Sequence, residues 1–92
     1  MLIPVSIDVY KIKDRNKWIV SFCKRASYFC GSEKDNYIGK SKKEAIIFND
    51  VTEANNFATE RYEKMNIHKN KFKISLNLYG EKKWRRHISR QM

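Results

Sequence analysis

The sequence predicts one small α+β domain in which a single helix lies across one face of a sheet of about four strands. Three observations carry that prediction. Residues Asp50 to Met65 form the one segment that combines helical periodicity with a start signal. Apolar and polar residues alternate from Ile3 to Val9, Trp18 to Phe22 and Lys71 to Tyr79, as half-buried strands require. At 92 residues, 41% of them hydrophobic, the chain is long enough for one core and too short for a second.

In the first predicted strand Ile3, Val5, Ile7 and Val9 alternate with Pro4, Ser6 and Asp8. Tyr10 and Ile12 then carry the apolar character at even positions, which predicts either a bulge or a strand leaving the sheet. Turn-prone Asp14 and Asn16 precede a second strand, with Trp18, Val20 and Phe22 on one face and Ser21, Cys23 and Arg25 on the other, so the two strands form a hairpin. Gly31 and Gly39 mark turns within Ser27 to Lys43, a stretch that fits a short hairpin or a mobile loop equally well. Glu44 to Phe48 is the third predicted strand and feeds directly into the helix.

Asp50 and Glu53 have the spacing of a capping box, in which each side chain reaches the other residue's amide. Val51, Ala54, Ala58, Tyr62 and Met65 share a helix face with Phe57 beside them, while Asn55, Asn56, Thr59, Glu60 and Lys64 point elsewhere. That apolar face is expected to cover Val20, Phe22, Ile74 and Leu76. In the last strand Phe72, Ile74, Leu76 and Leu78 face inward, Lys71, Lys73, Ser75, Asn77 and Tyr79 face solvent, and Gly80 ends the run. The expected order is β-β-β-α-β, with the last strand either central or at an edge. Residues 1–80 make the domain, and 81–92 are a basic tail, either a short helix pairing Trp84 with Ile88 or an arm.

Residues 5–65, with strands followed by Phe48 and the Thr52-Glu53-Ala54 opening of a helix, resemble the arm-binding domains of phage-type integrases. In that family a three-stranded sheet enters the DNA major groove. The strand from Lys71 to Tyr79 departs from the pattern, and a strand-to-helix junction is common to many folds, so no family membership follows.

Twenty Lys and Arg oppose ten Asp and Glu, for a formal net charge of +10 and a pI near 9.8. The surplus is uneven, because residues 71–92 hold seven basic groups and one acidic. An anionic partner is the first expectation, either nucleic acid, DNA or RNA, or an acidic protein surface. No secretory leader is recognisable at Met1 to Asp8, and Ala45 to Phe48 is far shorter than the roughly 20 apolar residues of a membrane helix. A cytoplasmic protein is therefore expected, acting away from membranes, with Cys23, a strand residue, and Cys30, a turn or loop thiol, both reduced.

Lys82, Lys83, Arg85, Arg86 and Arg90 with Trp84 combine cations that neutralise phosphates with an indole that stacks on a base. Lys71, Lys73 and Tyr79 extend this candidate surface, while Lys24-Arg25 and Lys40, Lys42 and Lys43 are weaker echoes. Cys23 and Cys30 lie seven positions apart, and neither His68 nor His87 completes a zinc spacing, so no metal or cofactor is expected. The motifs of phosphate loops, dinucleotide folds, zinc proteases and serine hydrolases are absent. A metal-free ribonuclease would center on His87 among Arg85, Arg86 and Arg90, but it also needs a positioned base. The expectation is a non-enzymatic nucleic-acid-binding accessory protein. Its alternative is an inhibitor or adaptor, of the kind phages and mobile elements encode, that docks a basic face on an acidic site.

Overall fold

The computed structural model describes residues 1–80. Five strands form one mixed sheet: β1 (Ile3–Lys11), β2 (Trp18–Phe22), β3 (Ser27–Gly31), β4 (Asn36–Gly39) and β5 (Phe72–Asn77), with helix α1 (Val51–Met65) between β4 and β5. The spatial order is β4-β3-β2-β1-β5, antiparallel except for the parallel pair β1 and β5. The α+β class and the single covering helix are as expected. The strand count is five, the chain order is β-β-β-β-α-β, and the last strand occupies an edge.

The side-chain pattern of β1 explains the architecture. Ile7 pairs with Phe22 on one side and Leu76 on the other, and Val9 pairs with Val20, so the odd positions form one face. Against it α1 buries Ala54, Phe57 and Ala58, with Tyr62 and Met65 at the margin. Tyr10 pairs with Ile19 and Lys11 with Trp18, so the strand continues to Lys11 and neither of the two expected alternatives, a bulge or departure from the sheet, occurs there. Its apolar residues change parity because the covered face changes. Tyr10 and Ile12 pack on the reverse side against a second cluster of Ile19, Tyr28, Cys30 and Ala45.

One open choice is settled and one expectation is corrected. Residues 27–39 form the β3–β4 hairpin, which resolves the choice between hairpin and loop. Glu44 to Phe48 is not a regular strand but a 3-10 turn (Lys42–Glu44) followed by an extended insert. β2 and β3 pair at only Ser21–Tyr28 and Phe22–Ser27. Beyond those pairs the insert bridges both strands. Phe48 exchanges two backbone hydrogen bonds of 2.9 Å with Trp18, and the Ile46 amide donates to the Phe29 carbonyl at 3.0 Å. The insert thus satisfies backbone groups that the parting of two strands would leave open. Its apolar residues serve both clusters, with Phe48 and Ile46 in the first and Ala45 in the second.

One half of the expected capping box forms at the helix start, with Asp50 in extended conformation and its carboxylate accepting from the Glu53 amide at 3.3 Å. Such a cap is worth on the order of 1 kcal/mol. Asn55, expected on the polar side, is instead buried. It accepts from the Tyr79 amide at 3.1 Å and donates to the Tyr79 carbonyl at 3.2 Å, clamping the chain as it leaves β5.

Candidate functional site

The face away from the helix carries the even positions of β1 and their partners, Asp8 beside Ser21 and Asn77, and Ser6 beside Ser75. A row of polar residues at the center of a sheet would ordinarily be open to water. Here Ser6, Asp8 and Ser21 are buried, and the turn between β2 and β3 supplies part of their partners.

That turn is Cys23 to Ala26, closed by an Ala26 amide to Cys23 carbonyl bond of 3.2 Å. Its central residues Lys24 and Arg25 have φ of 52° and 75°, and Cys23 before them has φ of 58°. Positive φ at both central positions is the type I′ arrangement, which matches the twist of a hairpin and normally recruits Asn-Gly. A side chain beyond Cα makes the left-handed conformation cost roughly 1–2 kcal/mol per residue. The sheet supplies compensating bonds. Asp8 Oδ2 accepts from the Lys24 amide at 3.0 Å and from Ser6 Oγ at 2.7 Å, Asp8 Oδ1 accepts from Asn77 Nδ2 at 2.6 Å, and Ser21 Oγ accepts from the Arg25 amide at 3.2 Å. Asp8 is therefore an acceptor engaged on both oxygens, a role that fixes the turn to β1 and β5.

The turn also organises the surroundings. The Arg25 guanidinium lies 4.2 Å from the center of the Tyr10 ring, a cation–π distance. Burial first, and the Asp8 charge second, push the Tyr10 phenol above its ordinary range, while Arg25 and a hydrogen bond with Ser21 act in the opposite direction. Two open clefts meet at Lys24. One, of about 270 Å³, is lined by Pro4, Val5, Ser6, Cys23, Lys24 and Ser75. The other, of about 450 Å³, runs from Asp8, Tyr10 and Lys24 to Asn77, Tyr79 and Gly80.

Of the residues expected to bind, Lys73 is exposed on this face, paired with Pro4 and two positions from Ser75. Lys71 is exposed in the turn that precedes β5. Tyr79 lies beyond β5, where its ring meets Trp18 edge-on at 6.1 Å, and it lines the larger cleft together with Asn77. Lys82, Lys83, Trp84, Arg85, Arg86 and Arg90 lie outside the described residues. The chain reaches them from Gly80, at the rim of the larger cleft. Sequence reasoning passed over Asp8 and gave Lys24-Arg25 little weight. The available signal was the absence of Asn or Gly between two strands that had to turn tightly.

Cys30 is not a loop thiol but a buried residue of β3, and burial pushes its thiol above the ordinary value. Cys23 is a turn residue rather than a strand residue. Among the described residues no three His, Cys, Asp or Glu side chains are placed to hold a metal, and no helix is long and apolar enough to cross a membrane. No protein-family model matches the chain, and neither does any curated protein or solved structure.

Proposed function

We propose that the protein is a small non-enzymatic nucleic-acid-binding accessory protein that acts in the cytoplasm and holds its partner chiefly through phosphates. The observation that supports this reading is the distribution of charge around the sheet. Lys24, Arg25 and Lys73 are exposed on or beside the face away from the helix, where the carboxylate of Asp8 is buried and engaged. Glu53, Glu60 and Glu63 are exposed on α1, across the sheet, where Arg61 and Lys64 offset two of the three charges. An unequal distribution of this kind orients a polyanion toward the side of Lys24, Arg25 and Lys73. The segment beyond Gly80 adds Lys82, Lys83, Arg85, Arg86 and Arg90 against one acidic residue, Glu81.

The test is the affinity of the full chain for short single-stranded and duplex DNA and for RNA over a range of salt concentration. Each phosphate contact contributes a slope of about 0.7 to 0.9 in log affinity against log salt, so K83A/R85A/R86A should flatten that slope by roughly 2 to 3. Absence of any salt-sensitive binding by the wild type at low ionic strength would falsify the reading.

A second reading, an inhibitor or adaptor of phage type, draws on a different observation. The edge strand β4 exposes about half of the surface of Tyr37 (52%) and Ile38 (48%), which suits strand addition by a protein partner. Capture of an acidic protein by wild type, lost on adding charge at Ile38, would favour it.

A further inference from the structure

We propose that the Lys24–Arg25 turn is the phosphate-contacting element of the folded domain, with Asp8 and Ser21 acting as positioning residues that hold it in place. The inference rests on the nucleic-acid reading and specifies where on the domain the polyanion is held.

Backbone strain is the first observation. Three consecutive residues without a glycine among them, Cys23, Lys24 and Arg25, adopt positive φ. A type I′ turn of this length is most comfortable with Asn-Gly, and strained conformations persist where surrounding structure over-determines them. Here the surroundings do so through a carboxylate from β1 and a hydroxyl from β2. The two side chains placed at the strained positions are both cations, and both are exposed.

The second observation is what lies around them. Lys24 forms part of the wall of both clefts, so the residue stands between two hollows. Arg25 is steadied by the Tyr10 ring, and among the described residues no hydrogen bond occupies its guanidinium donors. A planar guanidinium held in this way suits phosphate oxygens, which it can meet with two parallel N–H bonds. The Asp8 carboxylate spends both oxygens on three donors, the Ser6 hydroxyl, the Lys24 amide and the Asn77 side-chain amide, while the Ser21 hydroxyl accepts from the Arg25 amide. Lys73 lies on the same face and continues the positive surface along β5.

Two variants of the full chain separate charge from backbone strain. K24Q/R25Q keeps the backbone demand and removes both charges. K24N/R25G installs the preferred type I′ pair and removes both charges together with the strain at those two positions, leaving Cys23 as it is. Binding is read with a short labelled DNA strand and its duplex over a salt series, and melting temperature is read for each protein. With two contacts at stake, both variants should flatten the slope of log affinity against log salt by about 1.4 to 1.8. K24N/R25G should in addition melt at or above the wild-type temperature, because two of the three strained positions are relieved.

Wild-type affinity and slope in K24Q/R25Q overturn the inference and leave the nucleic-acid reading intact. Lowered melting temperatures in both variants, alongside lost binding, make the turn a purely structural element and also overturn it. A wild type that binds no oligonucleotide but captures an acidic protein overturns the nucleic-acid reading and this inference together.

Discussion

Asp8 lies in the middle of β1 with 4% of its surface exposed, where a carboxylate is tolerated only because donors surround it. Asp8→Ala would leave the Ser6 hydroxyl, the Lys24 amide and the Asn77 amide without their acceptor. The hydroxyl can rotate toward water, so the expected loss is about 2–4 kcal/mol in urea unfolding, with a smaller loss for Asp8→Asn. A loss under about half a kcal/mol would mean that water serves these donors equally well. Tyr10 gives a pH-dependent counterpart. Its folded value is raised above the ordinary 10.0, so the folded state holds the phenolic proton more tightly than the unfolded chain. That contribution is complete below the ordinary value and is lost as pH rises through the folded one. Tyr10→Phe should therefore reduce the alkaline fall in stability, measured by unfolding on either side of pH 10.0. Tyr37, raised chiefly by the charge of Glu44, should preserve part of the fall. None of this was legible in the sequence, where Asp8 is an ordinary outward-facing strand residue. Two of its three partners lie 16 and 69 positions away, and local periodicity carries no information about them.

At the scale of elements, legibility followed how locally each one is determined. The helix was readable because its cap and its apolar spacing lie within 16 consecutive residues, Asp50 to Met65. The insert from Ala45 to Phe48 was misread as a strand because its apolar run has the composition of one. Its conformation depends on two strands that part elsewhere in the chain. The hairpin of β3 and β4 was ambiguous because its exposed Tyr37 and Ile38 break the usual alternation with polar residues. Packing of the helix was also only partly anticipated. Phe57 is 6% exposed and meets the rings of Phe29 and Phe48 at 5.7 and 5.3 Å, whereas Leu76 is half-buried at the margin. Phe57→Ala should accordingly cost about 3–5 kcal/mol, and Leu76→Ala less than the roughly 2–5 kcal/mol of a fully buried leucine. Equal losses in thermal or urea unfolding would show that the edge strand is as firmly packed as the center.

The described residues are closed by pairing near their two ends, since β1 and β5 align Ile3 with Phe72 and Asp8 with Asn77. This places the last described residues beside the face that presents Lys24 and Arg25, and Gly80 lies on the rim of the larger cleft. The segment that follows contributes charge and one aromatic, Trp84, within a run of Lys and Arg. These two kinds of group make separable contributions to binding. Cations act through released counterions, so their removal weakens binding to all sequences and flattens the salt dependence. An indole that stacks on a base acts through an exposed ring face, which duplex DNA does not offer. Trp84→Ala should therefore cost roughly 1–3 kcal/mol on single strands, leave the salt slope unchanged, and have little effect on a duplex. Titrations of the wild type, Trp84→Ala and K83A/R85A/R86A against one strand and its duplex distinguish the contributions. An equal loss on both substrates, with the slope reduced, would assign Trp84 to maintaining the charged segment rather than to base stacking.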